Sequence, residues 1–374
     1  MGVIYSVGSF VGGGGTLPQY GNGLDGNITI LSGYTVNIKD LYENDDVPGV
    51  ITNKGEHKGL NYGVGSYNPK NNQSYNNASN VINALNFTIE ENAVLTTNQW
   101  QYYDPPSIYV DPTPYVIKDD SDGIIWIACV GSFINRGTIQ LNYLGGDGGR
   151  FFLPSGRWYA TEGLGTGKGG ISPWPYDQVP GAGGPIYNDE TIDYTDWDNI
   201  YGSGGGAGQG YNTNGGAGGS GGGSLRVYAI NQIITSEGYI YANGYVGGNG
   251  GTVDSVNTGG GGGGTGGAIY LESLGNTILG AQRITCYGGD RGYGGMYDGG
   301  GKKGQCGGGG GGFAIVGNTG YRIVLRNNTS WTGGYGAYGR IAIKCPSISG
   351  STYNSISYLE TPSYYNILYG TYGS

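Results

Sequence analysis

Runs of glycine recur along the second half of the chain, and each run ends where a short apolar segment begins. The runs end at Gly223, Gly267 and Gly312, which are 44 and 45 residues apart. Because each glycine in a helix costs about 1 kcal/mol relative to alanine, such a chain cannot be mainly helical. Glycine in runs, rather than at every third position, also excludes a collagen triple helix. The predicted fold class is therefore all-β.

The segments after the glycine runs define a repeat of about 45 residues with two short strands. The first strand is predicted at 224–229, 268–272 and 313–316, and the second at 239–242, 283–286 and 322–325. An earlier copy of the second strand begins at Gly137, where G-T-I-Q-L-N-Y-L-G-G-D-G-G matches G-Y-I-Y-A-N-G-Y-V-G-G-N-G-G from Gly238. Repeats of this size bury their apolar faces on one another, which favours a β-solenoid or stacked sheets.

The glycine runs themselves are predicted to be packed rather than loose. Glycine has no Cβ, so extended glycine segments can approach each other at backbone distance and exchange N–H and C=O bonds. The runs keep a fixed phase relative to the strands and are interleaved with Tyr and Trp, which favours polyglycine II-like segments over flexible linkers. The alternative is a β-sandwich with long glycine-rich loops.

Glycine content divides the chain near residue 120. No glycine occurs from Ser66 to Asp122. Alternating apolar and polar residues predict short strands at 27–30, 34–38, 81–89 and 93–97. We predict an N-terminal β domain at 1–120, with a role in attachment or assembly, and a glycine-rich repeat region at 121–345. An aromatic insertion interrupts the repeat at 151–201, and residues 346–374 form a Tyr-rich tail.

Charge and residue usage argue against several kinds of partner. The chain has 27 acidic and 18 basic residues and a net charge of −9, so binding to nucleic acid or to an anionic membrane is not expected. No apolar stretch reaches the roughly 20 residues of a membrane helix, and the N-terminus lacks a secretory signal pattern. The cysteines are interpreted as buried thiols, with one or two disulfides as the alternative. They are Cys129, Cys286, Cys306 and Cys345.

No residue pattern predicts catalysis or a cofactor. His57 is the only histidine and lies in a polar stretch, which does not favour a catalytic triad or a His-ligated metal. Segment 163–169 resembles a phosphate-binding loop but departs from it, because Glu162 stands where the leading glycine should be and Gly169 stands where Ser or Thr should hold magnesium. Asp119, Asp120 and Asp122 lack the distal glutamate of a calcium loop. We therefore predict a protein that is not an enzyme and that needs no metal or cofactor.

Aromatic residues in the insertion at 151–201 are the candidates for contact with a receptor. Aromatic faces in long loops stack on sugar rings and anchor protein contacts. The alternative is that they cover the glycine-rich core as a cap. The candidate residues are Trp158, Tyr159, Trp174, Tyr176 and Trp197.

Three short segments carry a family resemblance. They read D-G-N-I-T-I-L-S-G-Y-T-V at 25–36, L-N-F-T-I-E-E-N-A-V-L-T-T at 85–97 and I-W-I-A-C-V-G-S-F-I-N-R-G-T-I at 125–139. Followed by glycine blocks that feed short strands, they resemble the glycine-rich tail-fibre and virion appendage proteins of bacteriophages. The Glu-Glu-Asn at 90–92 and the insertion at 151–201 depart from the pattern of that family.

The resemblance implies a structural protein on the virion surface, a tail or head fibre that takes part in host attachment. Its expected partners are further copies of itself, other virion proteins and a glycan or protein of the host surface. A cellular adhesin or extracellular filament subunit is the alternative. A third reading is a polysaccharide depolymerase on a β-solenoid, for which Asp196 and Asp198 are an example of a carboxylate pair.

Overall fold

The computed structural model describes a chain in which strands are the main regular element, and this confirms the all-β class. One short helix, α1 (Ile38–Glu43), lies among the described residues. The described residues are 21, 23, 25–43, 46–52, 66–68, 73–75, 81–99, 101–103, 115–117, 123–152, 159–160, 163, 202–208, 215–250, 252–253, 256–281, 283–293, 336, 339–350, 356–361 and 365–370.

Most of these strands form three sheets, in which each strand pairs with the strand named next to it. The first sheet contains β25 (Ser347–Ser349), β22 (Asn276–Leu279), β17 (Gln232–Thr235), β12 (Ser132–Asn135), β7 (Asn86–Ile89), β1 (Asn27–Ile30) and β3 (Val50–Thr52). The second sheet contains β26 (Ile356–Thr361), β27 (Tyr365–Gly370), β24 (Arg340–Lys344), β21 (Ala268–Ser273), β16 (Ser224–Ala229), β11 (Ile124–Cys129) and β6 (Ile82–Ala84). The third sheet contains β2 (Thr35–Asn37), β8 (Val94–Thr96), β13 (Thr138–Gln140), β18 (Tyr239–Tyr241) and β23 (Ile284–Thr285).

Four small hairpins lie outside these sheets in the described part of the chain. They are β4 (Ser66–Asn68) with β5 (Gln73–Tyr75), β9 (Gln101–Tyr103) with β10 (Tyr115–Ile117), β14 (Phe151–Phe152) with β15 (Tyr159–Ala160), and β19 (Thr252–Val253) with β20 (Val256–Asn257).

The chain passes through the second, first and third sheets in that order, and then passes through them again. One such passage is β11, β12 and β13, and the next is β16, β17 and β18. Strands of successive passages pair in parallel, so that Ile124 lies beside Ser224, Ser224 beside Ala268, and Ala268 beside Arg340. In the third sheet Thr138 lies beside Tyr239, which confirms the match between the segments that begin at Gly137 and Gly238.

The spacing between passages is not the constant 45 residues that was predicted. It is 44 residues from Ser224 to Ala268 but 100 from Ile124 to Ser224 and 72 from Ala268 to Arg340. The additional residues lie in the connections between the third and second sheets, so they leave the strand pairing unchanged. The strands predicted at 313–316 and 322–325 lie outside the described residues, and β24 holds the position beside β21.

Strands from both sides of residue 120 share all three sheets. β7 pairs with β12, β6 with β11, and β8 with β13, each in parallel. The three sheets therefore continue across residue 120. The lower glycine content before that residue reflects a difference in the connections between strands and does not mark the end of a sheet. The predicted division of roles between 1–120 and 121–345 stays a prediction.

The inward residues of the three sheets form one apolar core. Alternation along β11 places Ile125 and Ile127 inside, and Phe87 stacks on Phe133 with ring centroids 5.9 Å apart. Helix α1 adds Leu41 to the same core, and it begins after Asn37, whose Oδ1 accepts a bond from the Lys39 backbone N–H (3.0 Å). The predicted strand at 34–38 thus ends at Asn37.

Glycine segments bond to one another outside the sheets and form what we call the glycine lattice. It comprises residues 145–149, 202–208, 215–223, 242–250, 258–267, 286–293, Gly336 and Gly339. Its hydrogen bonds recur at every third residue. The backbone N–H groups of Gly244, Gly247 and Gly250 donate to the carbonyls of Tyr287, Asp290 and Tyr293, at 2.7, 2.8 and 2.7 Å.

Glycine is required where lattice segments face each other. A Cβ at Gly247 would lie 2.1 Å from the Gly261 carbonyl oxygen, and one at Gly261 would lie 1.8 Å from the Ala217 carbonyl oxygen. Residues that do not face a neighbouring segment carry side chains, as Val246 does with 47% of its surface exposed.

Candidate ligand-binding face

Exposed tyrosines gather where the third sheet meets the glycine lattice. Strands β13, β18 and β23 each lead directly into a lattice segment, and tyrosines lie at these exits. We call this set the tyrosine face. Its members, with their exposed fractions, are Tyr143 (40%), Tyr239 (38%), Tyr245 (49%), Tyr287 (37%) and Tyr293 (58%), together with the partly buried Tyr241.

The sheet end of the face is built on strand β18. Because side chains alternate along a strand, Ile240 enters the core while Tyr239 and Tyr241 point outward. Their rings stack with centroids 5.5 Å apart and an interplanar angle of 28°. The Arg283 guanidinium lies 4.6 Å from the Tyr239 ring centroid, a cation–π distance. Burial, followed by the neighbouring Tyr239, raises the pKa of the Tyr241 phenol, and Arg283 acts against that shift.

The lattice end of the face pairs tyrosines from two passages. The rings of Tyr143 and Tyr245 meet edge to face, with centroids 4.6 Å apart and planes at 71°. Tyr143 has a φ of 66°, which is rare for a bulky residue. The link after Asn142 is one residue shorter than the link after Asn243, where Gly244 precedes Tyr245.

Asparagine side chains fix the backbone beneath the tyrosines. Asn142 Oδ1 accepts a bond from the Asn243 N–H (2.8 Å), and Asn243 Oδ1 accepts one from the Tyr287 N–H (2.7 Å). Asn249 Oδ1 accepts one from the Tyr293 N–H in the same way (2.9 Å). Each tyrosine segment is therefore tied to the preceding passage by a side chain as well as by the lattice bonds.

Charged groups surround the tyrosine face. Arg136 Nε lies 3.2 Å from Glu237 Oε2, and both side chains are more than half exposed, so this pair adds little stability. Arg283 Nη1 donates to the Glu237 carbonyl, and the Arg291 guanidinium lies 6.0 Å from the Tyr293 ring centroid. The face thus combines aromatic surface, arginine donors and asparagine amides.

A second aromatic cluster lies on the outer side of the second sheet, and its charged residues are buried. Arg226 lies 5.1 Å from the Trp126 ring centroid, and the Tyr270 hydroxyl donates to Glu272 Oε2 at 2.5 Å. Arg226 and Glu272 are only 2% and 4% exposed. We interpret this cluster as structural because its charged groups are buried, whereas Trp126 and Tyr270 are half-buried and the tyrosines of the tyrosine face are more exposed.

The aromatic candidates from the sequence fall mostly outside the described residues. Trp158, Trp174, Tyr176 and Trp197 lie there, as do His57, Cys306, the predicted calcium-loop carboxylates, Asp196 and Asp198. The backbone of Tyr159 is described in β15, where it pairs with Phe152. Sequence reasoning missed the tyrosine face. The repeated Asn–Tyr at 142–143 and Asn–Gly–Tyr at 243–245 was a signal for two of its members, Tyr143 and Tyr245.

The three described cysteines confirm their interpretation as buried thiols. Cys129, Cys286 and Cys345 are free and buried. Burial raises the pKa of all three thiols, so they stay protonated and unreactive near neutral pH. Within the described part of the chain, His, Cys, Asp and Glu form no group of three or more suited to a metal ion. The described residues also include no helix long and apolar enough to cross a membrane.

Comparison of the chain with protein-family models, with curated proteins and with solved structures gives no match in any of the three. A functional interpretation therefore depends on the geometry of the tyrosine face and on the resemblance of the three sequence segments.

Proposed function

We propose that the chain is a structural protein of a virion appendage, a tail or head fibre, and that it contacts the host surface through its tyrosine face. Exposed aromatic side chains on a rigid support are the observation that carries this proposal. Five tyrosines are 37–58% exposed, and none of them stands on an isolated loop, because lattice or sheet bonds hold the backbone at each. Aromatic rings held in this way form low-entropy contact surfaces for sugars or proteins.

In this proposal the sheets form a parallel β-solenoid and the lattice consists of polyglycine II-like helices. The parallel registers between successive passages support the solenoid. The three-residue period of the lattice bonds supports the polyglycine II geometry, which has three residues per turn. Both arrangements resist bending, which suits a part that must transmit a contact from a cell surface to a particle.

The proposed setting is the virion surface, in a homo-oligomer attached to other virion proteins. The family resemblance of 25–36, 85–97 and 125–139 supports this setting. The role is binding and support rather than catalysis, and it requires no cofactor.

Immunogold labelling tests the proposed function. Antibodies raised against the purified chain are applied to lysates that contain virions and to the cells of the producing organism. We expect gold on tails or head appendages of intact particles. Gold confined to cell surfaces would instead support the cellular adhesin, and the absence of label on particles would overturn the proposal.

Adsorption measurements test the role of the tyrosine face. The purified chain should compete with virions for host cells, and Tyr245→Ala should weaken that competition. The matched control is Tyr34→Ala, which removes a tyrosine of similar exposure (46%) in the first passage, outside the tyrosine face. Equal competition by the two variants would exclude the tyrosine face as the contact surface.

A further inference from the structure

The tyrosine face is elongated, since its aromatic rings come from three successive passages. Tyr143 belongs to the passage of β13, Tyr239 and Tyr245 to that of β18, and Tyr287 and Tyr293 to that of β23. Paired strands lie about 4.8 Å apart, so rings advance across the face by that step. Along a three-residue helix, each equivalent position lies about 9 Å from the next, as 287 does from 290 and 290 does from 293.

We infer that the tyrosine face binds a linear polysaccharide that carries carboxylates, across several consecutive sugars. The inference rests on the proposed function and names the class of ligand. Side chains of Tyr239, Tyr245 and Tyr287 are each 37–49% exposed and are distributed over an open surface rather than gathered in a pocket. Each ring can cover one sugar, so affinity accumulates along a chain of sugars and a single sugar makes only a fraction of the contacts.

Charge favours an acidic ligand over a neutral one. The chain as a whole has a net charge of −9, yet Arg136, Arg283 and Arg291 stand at the tyrosine face. Arginine forms bidentate bonds with carboxylates and keeps its charge at all relevant pH values. Arg283 contacts two parts of this face, because its guanidinium lies over the Tyr239 ring and its Nη1 donates to the carbonyl of Glu237, whose carboxylate pairs with Arg136.

The acidic side chains at the face do not cancel this preference. Glu237 is engaged by Arg136 and, through its carbonyl, by Arg283. Asp290 is exposed between Tyr287 and Tyr293, where its carboxylate can accept bonds from sugar hydroxyls. The three arginines exceed these two carboxylates by one positive charge on an otherwise acidic protein.

An array of purified bacterial polysaccharides tests the inference. Linear polymers that contain uronic acids are printed beside carboxyl-reduced forms of the same polymers, so that each pair differs only in charge. We expect binding of the full chain to at least one uronic acid polymer, and binding to its reduced partner that is weaker by roughly tenfold or more. Equal binding to reduced partners, or no binding to any linear polymer, would overturn the inference.

Fragments of the bound polymer test the extended mode of binding. Competition by one, two, four, six and eight sugars should strengthen with length and level off once the face is covered. A monosaccharide that competes as well as the octamer would show a single pocket and contradict the inference. Arg283→Gln should lose the preference for the carboxylated form while Tyr245→Ala should weaken both forms. Tyr34→Ala serves as the control, and thermal unfolding confirms that all variants are folded.

The outcomes separate this inference from the proposed function. Gold on virion appendages together with a negative array would leave the appendage role in place and remove only the carboxylated ligand. Binding to phosphorylated polymers alone would also reject the carboxylate class.

Discussion

At the scale of single residues, Tyr143 combines an unfavourable backbone with an exposed ring. Its φ of 66° lies in the left-handed region, which costs a residue with a Cβ about 1–2 kcal/mol. The ring meets Tyr245 edge to face, and the shorter link after Asn142 gives no glycine to take up the turn. Backbone strain of this kind clusters at functional sites, which is consistent with a role for Tyr143 in binding.

At Tyr143 the glycine variant should be more stable than the alanine variant, which is the reverse of the usual order of stability. We expect Tyr143→Gly to be about 1 kcal/mol more stable than Tyr143→Ala, because only glycine is relaxed at this φ. At Tyr245, where φ is not positive, alanine should be the more stable of the two. Urea unfolding of the four variants measures both differences, and the same order at both positions would contradict the strain at Tyr143.

Buried thiols should make the fold sensitive to alkaline pH. Burial raises the pKa of the Cys129 thiol in the folded chain, whereas an unfolded cysteine titrates near about 8.5. The folded chain therefore holds the proton more tightly, and the stabilisation is present in full below the unfolded pKa and is lost as pH rises above it. The loss is about 1.4 kcal/mol per pH unit for this thiol.

Cys129→Ala should reduce that alkaline loss. Urea midpoints at pH 7.5 and pH 10 are compared for the original chain and the variant. The variant starts from a lower stability because a small cavity replaces the sulfur, but its decline between the two pH values should be smaller. An equal decline in both proteins would show that the Cys129 thiol does not contribute to the pH dependence.

At the scale of elements, the facing glycines of the lattice leave no room for a side chain, because a Cβ there would meet the backbone of the neighbouring segment. We expect Gly247→Ala to destabilise the chain by about 1–3 kcal/mol, since the new Cβ would lie 2.1 Å from the Gly261 carbonyl oxygen. The neighbouring Val246→Ala changes an outward, 47% exposed side chain and should stay within about 0.5 kcal/mol. Thermal unfolding of both variants checks the contrast, and similar losses would mean that the two positions do not differ in packing.

The strands and their registers could be predicted from the sequence more readily than the hydrogen-bond partners within the glycine lattice. The frames at Gly137 and Gly238 predicted which strands align, because alternation and the following Asn mark the same point in each passage. Glycine runs carry no side chains that distinguish one neighbour from another. The hydrogen bond from Gly244 to Tyr287, for example, depends on how the passages stack and cannot be predicted from the sequence of the glycine run.

At the scale of the whole molecule, the three sheets couple the two sides of residue 120. Phe87 lies before that point and stacks on Phe133 after it, in one core. We expect Phe87→Ala to lower the free energy of unfolding by about 3–5 kcal/mol. Proteolytic cleavage sites on both sides of residue 120 should become accessible at the same, lower urea concentration. Separate transitions for 1–120 and 121–345 would instead support two independent domains.

The candidate site shows the limit of sequence reasoning at this scale. The binding candidates were predicted at 151–201, because several aromatic residues that are close together in sequence can be recognised without a structure. The tyrosine face is assembled from positions about 100 and 44 residues apart in sequence. Its tyrosines come together only when the passages stack. Tyr143 and Tyr287 look unremarkable singly, and the parallel registers bring both to the same end of the third sheet.

The three-residue period of the lattice also governs how this protein can change in evolution. Gain of a single residue within 242–250 would turn every later position by a third of a turn and bring a side chain such as Val246 into a neighbouring segment. Gain of three residues would restore the facing glycines and lengthen the segment by about 9 Å. The lattice therefore favours changes in length of three residues at a time. A change of one residue requires a compensating backbone turn, as at Tyr143, whose φ is positive and whose segment is one residue shorter than that of Tyr245.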